Sequence, residues 1–407
     1  MSDTPNAINV DVAPRLRRLP PYLFGRINKI KLEKRQAGLD IIDLGMGNPT
    51  DPTPEAVVEK LRAAATDPRN HRYAAASGIA GLKREVAKRY ERERGVVLDP
   101  DHEVIVTIGS KEGFAHLCLA LLGPGDTVVV PDPAFPVHIY GPAMAGANVV
   151  RVPLGNDQAF LDRIERVLGE LYPTPKLLNL CFPHNPTATT IDEGFWEQAI
   201  ALCRKYGVML ISDFAYGDIC FDGYRAPSLL GTPGATDVGV EFTTMSKSFN
   251  MAGWRVGFCC GNREMLAALA TIKGYYDYGH FNPVWIASVI AMREAAETPG
   301  AMARVYQGRR DEVCRGLDKL GWDYEKPRAS MFVWARVADE HLAGRDTIDF
   351  CIDMLDEAEV ALAPGKAFGD AGEGYVRIAV VENEQRLRQA MKNLHAALIR
   401  GKPLNTS

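Results

Sequence analysis

Short, uninterrupted apolar runs that alternate with amphipathic stretches constrain this chain more than any other feature. VIVTIG (104–109), TVVVPD (127–132), NVVRVPL (148–154), KLLNLCF (176–182), VMLISD (208–213) and VGFCCG (256–261) each read as a strand buried on both faces. Between them lie segments of helical period, such as EGFAHLCLALLG and EGFWEQAIALCRKYG. Such strands joined by helical crossovers predict an α/β fold: a mostly parallel sheet covered by helices on both faces. Beyond residue 300 the pattern changes to a charged helix (ARVYQGRRDEVCRGLDKLG), short strands (SMFVWARV, GYVRIAVV) and a last helix, which read as a smaller α+β domain. A length of 407 residues exceeds what one core usually serves. The expected division is an N-terminal arm with part of the small domain over 1–50, a large domain over 51–295 and a small domain over 296–407.

Ligands of open α/β sheets bind beyond the carboxyl ends of the strands, and the polar residues of interest fall at those ends. Asp213 closes VMLISD, Asn185 follows KLLNLCF, and Ser110 and Lys111 follow VIVTIG. Other classes of function fit poorly. A net charge of −4 leaves no basic footprint for nucleic acid or an anionic membrane. No apolar stretch is long enough to span a bilayer, and the N-terminus lacks the apolar region of a signal peptide, so a cytoplasmic protein is expected. The eight cysteines form neither C-x-x-C pairs nor a Cys/His ligand set, so they read as small buried hydrophobes, with no metal site expected.

TTMSKSFNMAGWRVGF (243–258) sets Lys247 after a strand-like run and fences it with Phe249, Met251 and Trp254. A surface lysine rarely has that setting, whereas a nucleophilic one needs it, because its amine must lose the proton it holds up to a pKa of about 10.4. TIGSKEG (107–113) ends a strand in Gly-Ser-Lys before a helix, where free N–H groups and the helix dipole favour an anion; a plain helix start is the alternative. ISDFAYGDI (211–219) carries Asp213 and Tyr216, with an N-capping Asp as the plainer reading, and CFPHNPTA (181–188) could be a simple Asn-Pro turn. Arg377 interrupts the apolar strand GYVRIAV (374–380). A buried arginine needs an anionic partner, and its planar fork suits a carboxylate; a structural ion pair would serve as well.

Taken together and in this order, these segments resemble the fold-type I, class I/II aminotransferases from about residue 20 to the C-terminus. The resemblance implies pyridoxal 5'-phosphate (PLP) as cofactor, with Lys247 as its lysine and the catalytic base. It implies that Asp213 meets the pyridine nitrogen, Asn185 and Tyr216 the phenolic oxygen, and Phe135 of PDPAFPVH the ring face. Ser110, Lys111, Glu112, Thr244, Ser246 and Arg255 would surround the phosphate, with Thr244 where the family more often has Ser or Gly. Tyr73 of HRYAAASG (71–78) is similar to a family tyrosine that reaches the partner's phosphate, which implies a homodimer with shared sites. Arg377 would hold the substrate α-carboxylate, beside Asn185 and with Gly47 of LGMGNPTDP approaching the substrate. His184 receives no role.

RLPPYLFGRIN, TIGSKEGFAHL, VHIYGP and YDYGHF resemble the alanine (glutamate–pyruvate) branch, which implies L-alanine and 2-oxoglutarate as substrates. Another donor (aspartate, methionine, an aromatic residue or LL-diaminopimelate) or a PLP-dependent C–S lyase stays open. Arg26 and Lys29, with Tyr22 nearby, are the candidates for a substrate's distal carboxylate.

Overall fold

The computed structural model of the protein describes residues 10–21 and 23–400, apart from the side chains of Leu23, Phe24 and Arg400. Tyr22 lies outside the described residues. A seven-stranded sheet runs in the order Val104–Thr107, Gly257–Gly261, Gly239–Thr244, Met209–Asp213, Leu177–Cys181, Thr127–Asp132, Asn148–Pro153. Six strands run the same way, and Gly257–Gly261 opposes both of its neighbours. Val104–Thr107, Leu177–Cys181 and Gly257–Gly261 are buried along their whole length, as expected of strands covered on two sides. One face packs Val104, Val106, Leu178, Leu180 and Leu210 against Trp196, Trp285 and Phe160 from helices; the other packs Ile105, Val128, Ile211 and Phe242 against Phe114, Leu117 and Leu266.

A second, antiparallel sheet orders Ala363–Pro364, Tyr375–Ala379, Phe332–Arg336 and Asp323–Tyr324, and a two-stranded parallel pair joins Ile42–Asp43 to Val360–Ala361. Its core holds Tyr306, Val313, Leu317, Phe350, Val376, Ile378 and Leu394. The α/β reading thus stands: a mostly parallel sheet under helices, and a smaller antiparallel sheet beside it. Near the N-terminus a single turn, Pro14–Arg17, buries nothing. The helix Leu23–Gln36 follows it. All eight cysteines are free, and seven are buried. Among the described residues no helix is long and apolar enough to cross a membrane.

The sheet's direction explains where polar chemistry gathers. The carboxyl ends of Val104–Thr107, Leu177–Cys181, Met209–Asp213 and Gly239–Thr244 face one edge. Because Gly257–Gly261 runs the other way, its amino end reaches that same edge and brings Arg255 with it.

Candidate active site

A cavity of about 760 Å³ opens at this edge, between the two sheets, a size typical of small-molecule sites. Gly47, Ser110, Lys111, Phe135, Asn185 and Asp213 line it, together with Tyr216, Thr244, Ser246, Lys247, Arg255 and Arg377. The sequence segments that carry these residues are therefore brought together in space. Glu112 and Tyr73 are not in the lining. Glu112 instead accepts from the Ile108 N–H at 2.6 Å and from Lys273 at 3.2 Å, so its carboxylate secures the turn before the helix. Tyr73 is 88% exposed and stacks at a tilt on Tyr278, with ring centroids 5.3 Å apart.

Lys247 stands on the short helix Met245–Ser248, whose start is capped by Thr244: its Oγ1 accepts from the Ser246 N–H at 3.1 Å. The Thr244 hydroxyl also donates to the Val256 carbonyl at 3.0 Å, so it serves the local turn while bordering the cavity. Lys247 Nζ donates to the Gly47 carbonyl at 2.5 Å. Burial, joined by the nearby Arg377 and Arg255 charges, pushes this ammonium down to about 8 against the pull of Asp213. Gly47 is a glycine for a reason the sequence did not reveal, since a Cβ there would meet the Phe332 ring at 2.7 Å.

At one end of the cavity the helix Ser110–Leu121 begins behind Gly109 with no side-chain cap. Its first N–H groups are thus left for an anion. The Arg255 guanidinium lies where a Cβ on Gly109 would be, and Gly257 leaves the same room beside the Ser110 N–H. Arg255 holds a left-handed backbone, φ +55, and donates to the Ala252 carbonyl at 2.9 Å. A non-glycine residue in that region carries a local strain of about 1–3 kcal/mol, of the kind functional sites retain. Lys111 is held below its ordinary value by burial and by Arg255, which marks a concentration of positive charge.

Asp213 marks the opposite end. Its Oδ1 accepts from the Ala215 N–H at 3.2 Å, and Oδ2 lies 2.9 Å from Nε2 of the buried His138. His138 was missed in the sequence although it follows Phe135 by three residues on one helix, Pro136–Met144 with its preceding cap. Behind it, His184 is buried, with its Nδ1 2.8 Å from the Thr187 hydroxyl. Burial, aided by His138, pushes the His184 imidazole down to about 3, so it stays neutral.

Tyr216 Oη accepts from Asn185 Nδ2 at 3.2 Å, while Asn185 Oδ1 accepts from Arg377 Nη1 at 2.8 Å. Burial raises the Tyr216 phenol above its ordinary value. Arg377 Nη2 donates to the Gly45 carbonyl at 2.8 Å, and its Nε is buried with no hydrogen-bond partner among the described residues. The guanidinium lies between the rings of Phe332 and Phe368, 4.1 and 4.6 Å from their centroids. Two aromatic faces hold such a cation in a set plane. Burial lowers the guanidinium to about 10, still charged at neutral pH. No carboxylate pairs it, so the structural ion pair left open by the sequence is absent among the described residues.

The outer wall carries Asn28, Lys31 and Arg35, one face of Leu23–Gln36 at helical spacing, with Asp43 and Glu382 opposite. Lys31 pairs with Asp43 at 2.5 Å. Arg26 and Lys29, expected near the substrate, face away and are exposed.

Comparison with known proteins agrees with this geometry. The class I and II aminotransferase family matches residues 39–394. A glutamate-pyruvate aminotransferase of Escherichia coli (strain K12) is 46% identical over 94% of this chain and 92% of its own length. An LL-diaminopimelate aminotransferase of Moorella thermoacetica is 42% identical over 95% of this chain and 98% of its own. Among solved structures, a Thermus thermophilus aspartate aminotransferase single mutant superposes with a TM-score of 0.87 at 26% identity, covering 96% of this chain and all of that one (100%).

Proposed function

The chain belongs to the class I and II aminotransferases, enzymes that work with PLP, and from that premise we propose that it exchanges the amino group of L-alanine with 2-oxoglutarate. Pyruvate and L-glutamate are the products of this reading. The observation that carries the chemistry is the buried Lys247 amine, held near 8 in one cavity with Asp213 and Arg377. The 46% identity to a glutamate-pyruvate aminotransferase supports the choice of donor.

The residues present fit the cofactor. An uncapped helix start with Arg255, Lys111, Ser110 and Ser246 suits a phosphate, and Asp213 at the far end suits a protonated ring nitrogen. Lys247 is the residue that would hold the cofactor's carbonyl end, Phe135 would cover its ring, and Asn185 and Tyr216 would meet its phenolic oxygen. When bound, PLP supplies an electron sink for the charge left on the substrate Cα as its proton departs. Lys247 Nζ moves that proton, and an amine with a pKa near 8 suits the work at neutral to mildly alkaline pH. The Ala215 N–H and His138 orient the Asp213 carboxyl, which would face the ring nitrogen. Arg377 binds the α-carboxylate with the plane set by Phe332 and Phe368, and Asn185 fixes one arm of its fork.

We also read the active unit as a homodimer. Tyr73, Tyr275, Tyr276 and Tyr278 are 88%, 89%, 67% and 62% exposed, an aromatic patch of the kind that marks an interaction surface. Tyr73 would serve the phosphate of the partner's site.

A second donor reading has its own support. Beside the Lys31–Asp43 pair the outer wall offers one further charge of each sign, Arg35 and Glu382, which suits a substrate with a distal ammonium and carboxylate. LL-diaminopimelate has that chemistry, and a relative named for it is 42% identical. Borohydride reduction of the loaded enzyme followed by peptide mapping should label Lys247; a label on another lysine ends the catalytic reading. Specificity constants for L-alanine and LL-diaminopimelate decide the donor. If alanine trails by a hundredfold or more, the second reading replaces the first.

A further inference from the structure

The turn that follows Met209–Asp213 alternates in its use. Asp213 and Tyr216 face the cavity, whereas Phe214 is buried and Asp218 turns the other way. Both of these back-facing residues seat on arginines of a single helix, Ala80–Arg94. The Arg94 guanidinium lies 5.0 Å from the Phe214 ring centroid and 3.3 Å from Asp218 Oδ1. Arg89 Nη2 lies 2.8 Å from Asp218 Oδ2. Arg89 also covers the ring of Phe249, two residues after Lys247, at 5.5 Å. Glu93 Oε2 accepts from Arg89 Nε at 2.8 Å and so fixes the plane of the fork.

Burial by itself would raise the Asp218 carboxyl, but Arg89 and Arg94 outweigh it and hold the group below its ordinary value. The pair is therefore ionised at neutral pH. Its side chains are mostly buried, 15% exposed for Arg89 and 20% for Asp218, so the interaction is poorly screened. The Ser248 hydroxyl, next to Lys247, lies close enough to favour the charged carboxylate, although it completes no full hydrogen bond. The same helix meets the sheet once more, where Tyr90 donates to the buried Glu241 at 2.9 Å.

We propose that Asp218 is a positioning residue: clamped by Arg89 and Arg94, it locks the turn bearing Asp213 and Tyr216 against the turn bearing Lys247. Asp218 is not among the residues that line the cavity, and its effect passes through the placement of Tyr216 Oη and Lys247 Nζ. This rests on the reading of Lys247 as the cofactor lysine, whose own failure is visible separately in the borohydride label. The test uses the full-length, PLP-loaded enzyme and two variants, Asp218→Asn and Arg89→Lys. The first removes the charge and keeps the shape; the second keeps a charge and removes the fork. Four quantities are read: the pH midpoint of the visible absorption, retained PLP after dialysis, and kcat and KM for the amino donor.

We expect PLP to stay bound, the pH midpoint to move, and kcat to fall about tenfold or more with KM within about threefold, since small misplacements act on rate more than on binding. Asp218→Glu should recover part of the loss. An unmoved midpoint with kcat within about twofold, even alongside a lower melting temperature, would overturn the proposal and leave the pair a stabilising contact. If neither variant gives soluble, PLP-loaded protein, the pair is a folding determinant and the proposal is equally overturned.

Discussion

Lys247, Asp213 and Arg377 were legible because each breaks a local rule: a lysine fenced by apolar residues, a carboxylate closing an apolar strand, an arginine inside one. Their partners were not legible. His138, Phe332 and Phe368 look in the sequence like ordinary core residues, and only the fold sets them against Asp213 and Arg377. Gly47 was read as approaching the substrate, and its missing side chain also leaves room for Phe332. One prediction belongs to this scale. Folding lowers the Lys247 amine from about 10.5 to about 8, so between those values the unfolded chain binds more protons and stability rises with pH. The penalty for the buried ammonium is whole below about 8 and gone above about 10.5. Cofactor-free Lys247→Met should therefore melt higher than cofactor-free wild type at pH 7, with the gap closing as pH rises through that window. A gap that is constant from pH 7 to 10.5 would show that the amine is not strained by burial.

Among elements, the strands and the main crossover helices followed from their patterns, and the antiparallel sense of Gly257–Gly261 did not. A strand buried on both faces reads the same in either direction. The helix Leu23–Gln36 was also hidden, since its weak amphipathicity gives no clear apolar stripe, and with it went Lys31 and Arg35. The start of Ser110–Leu121 was read well from TIGSKEG, although Glu112 turned out to secure the loop rather than face the cavity. Gly109 is the critical residue of that element. Its backbone (φ +78, ψ 157) is one that glycine alone adopts readily, and any Cβ meets Arg255. Gly109→Ala should cost about 1–3 kcal/mol in denaturant unfolding of the cofactor-free protein. By displacing Arg255 it should also release PLP on dialysis faster than wild type. Unchanged PLP retention would mean that Arg255 does not hold the phosphate.

For the whole molecule, the α/β class with a smaller second sheet was visible in the change of pattern near residue 300. The proposed homodimer was implied at Tyr73 by resemblance alone, because a contact surface is recognised only once folding shows what it leaves exposed. Tyr73 and its exposed neighbours make the consequence testable. Tyr73→Phe and Lys247→Ala should each be impaired as homodimers. Mixed under conditions of demonstrated subunit exchange, they should regain activity, since one hybrid site keeps both residues. No recovery would show that each chain's site is complete on its own.

The shared direction of the strands has a last consequence, for how the gene tolerates change. The groups that the large sheet contributes to the cavity sit on one of its rims, and the turns on the opposite rim lie away from it. The exposed Pro124–Gly125 turn, which leads into Thr127–Asp132, lies on that far rim with Gly125 at φ +94. New sequence spliced there, such as an epitope, a linker or a guest domain, enters the molecule a full strand's length from the chemistry.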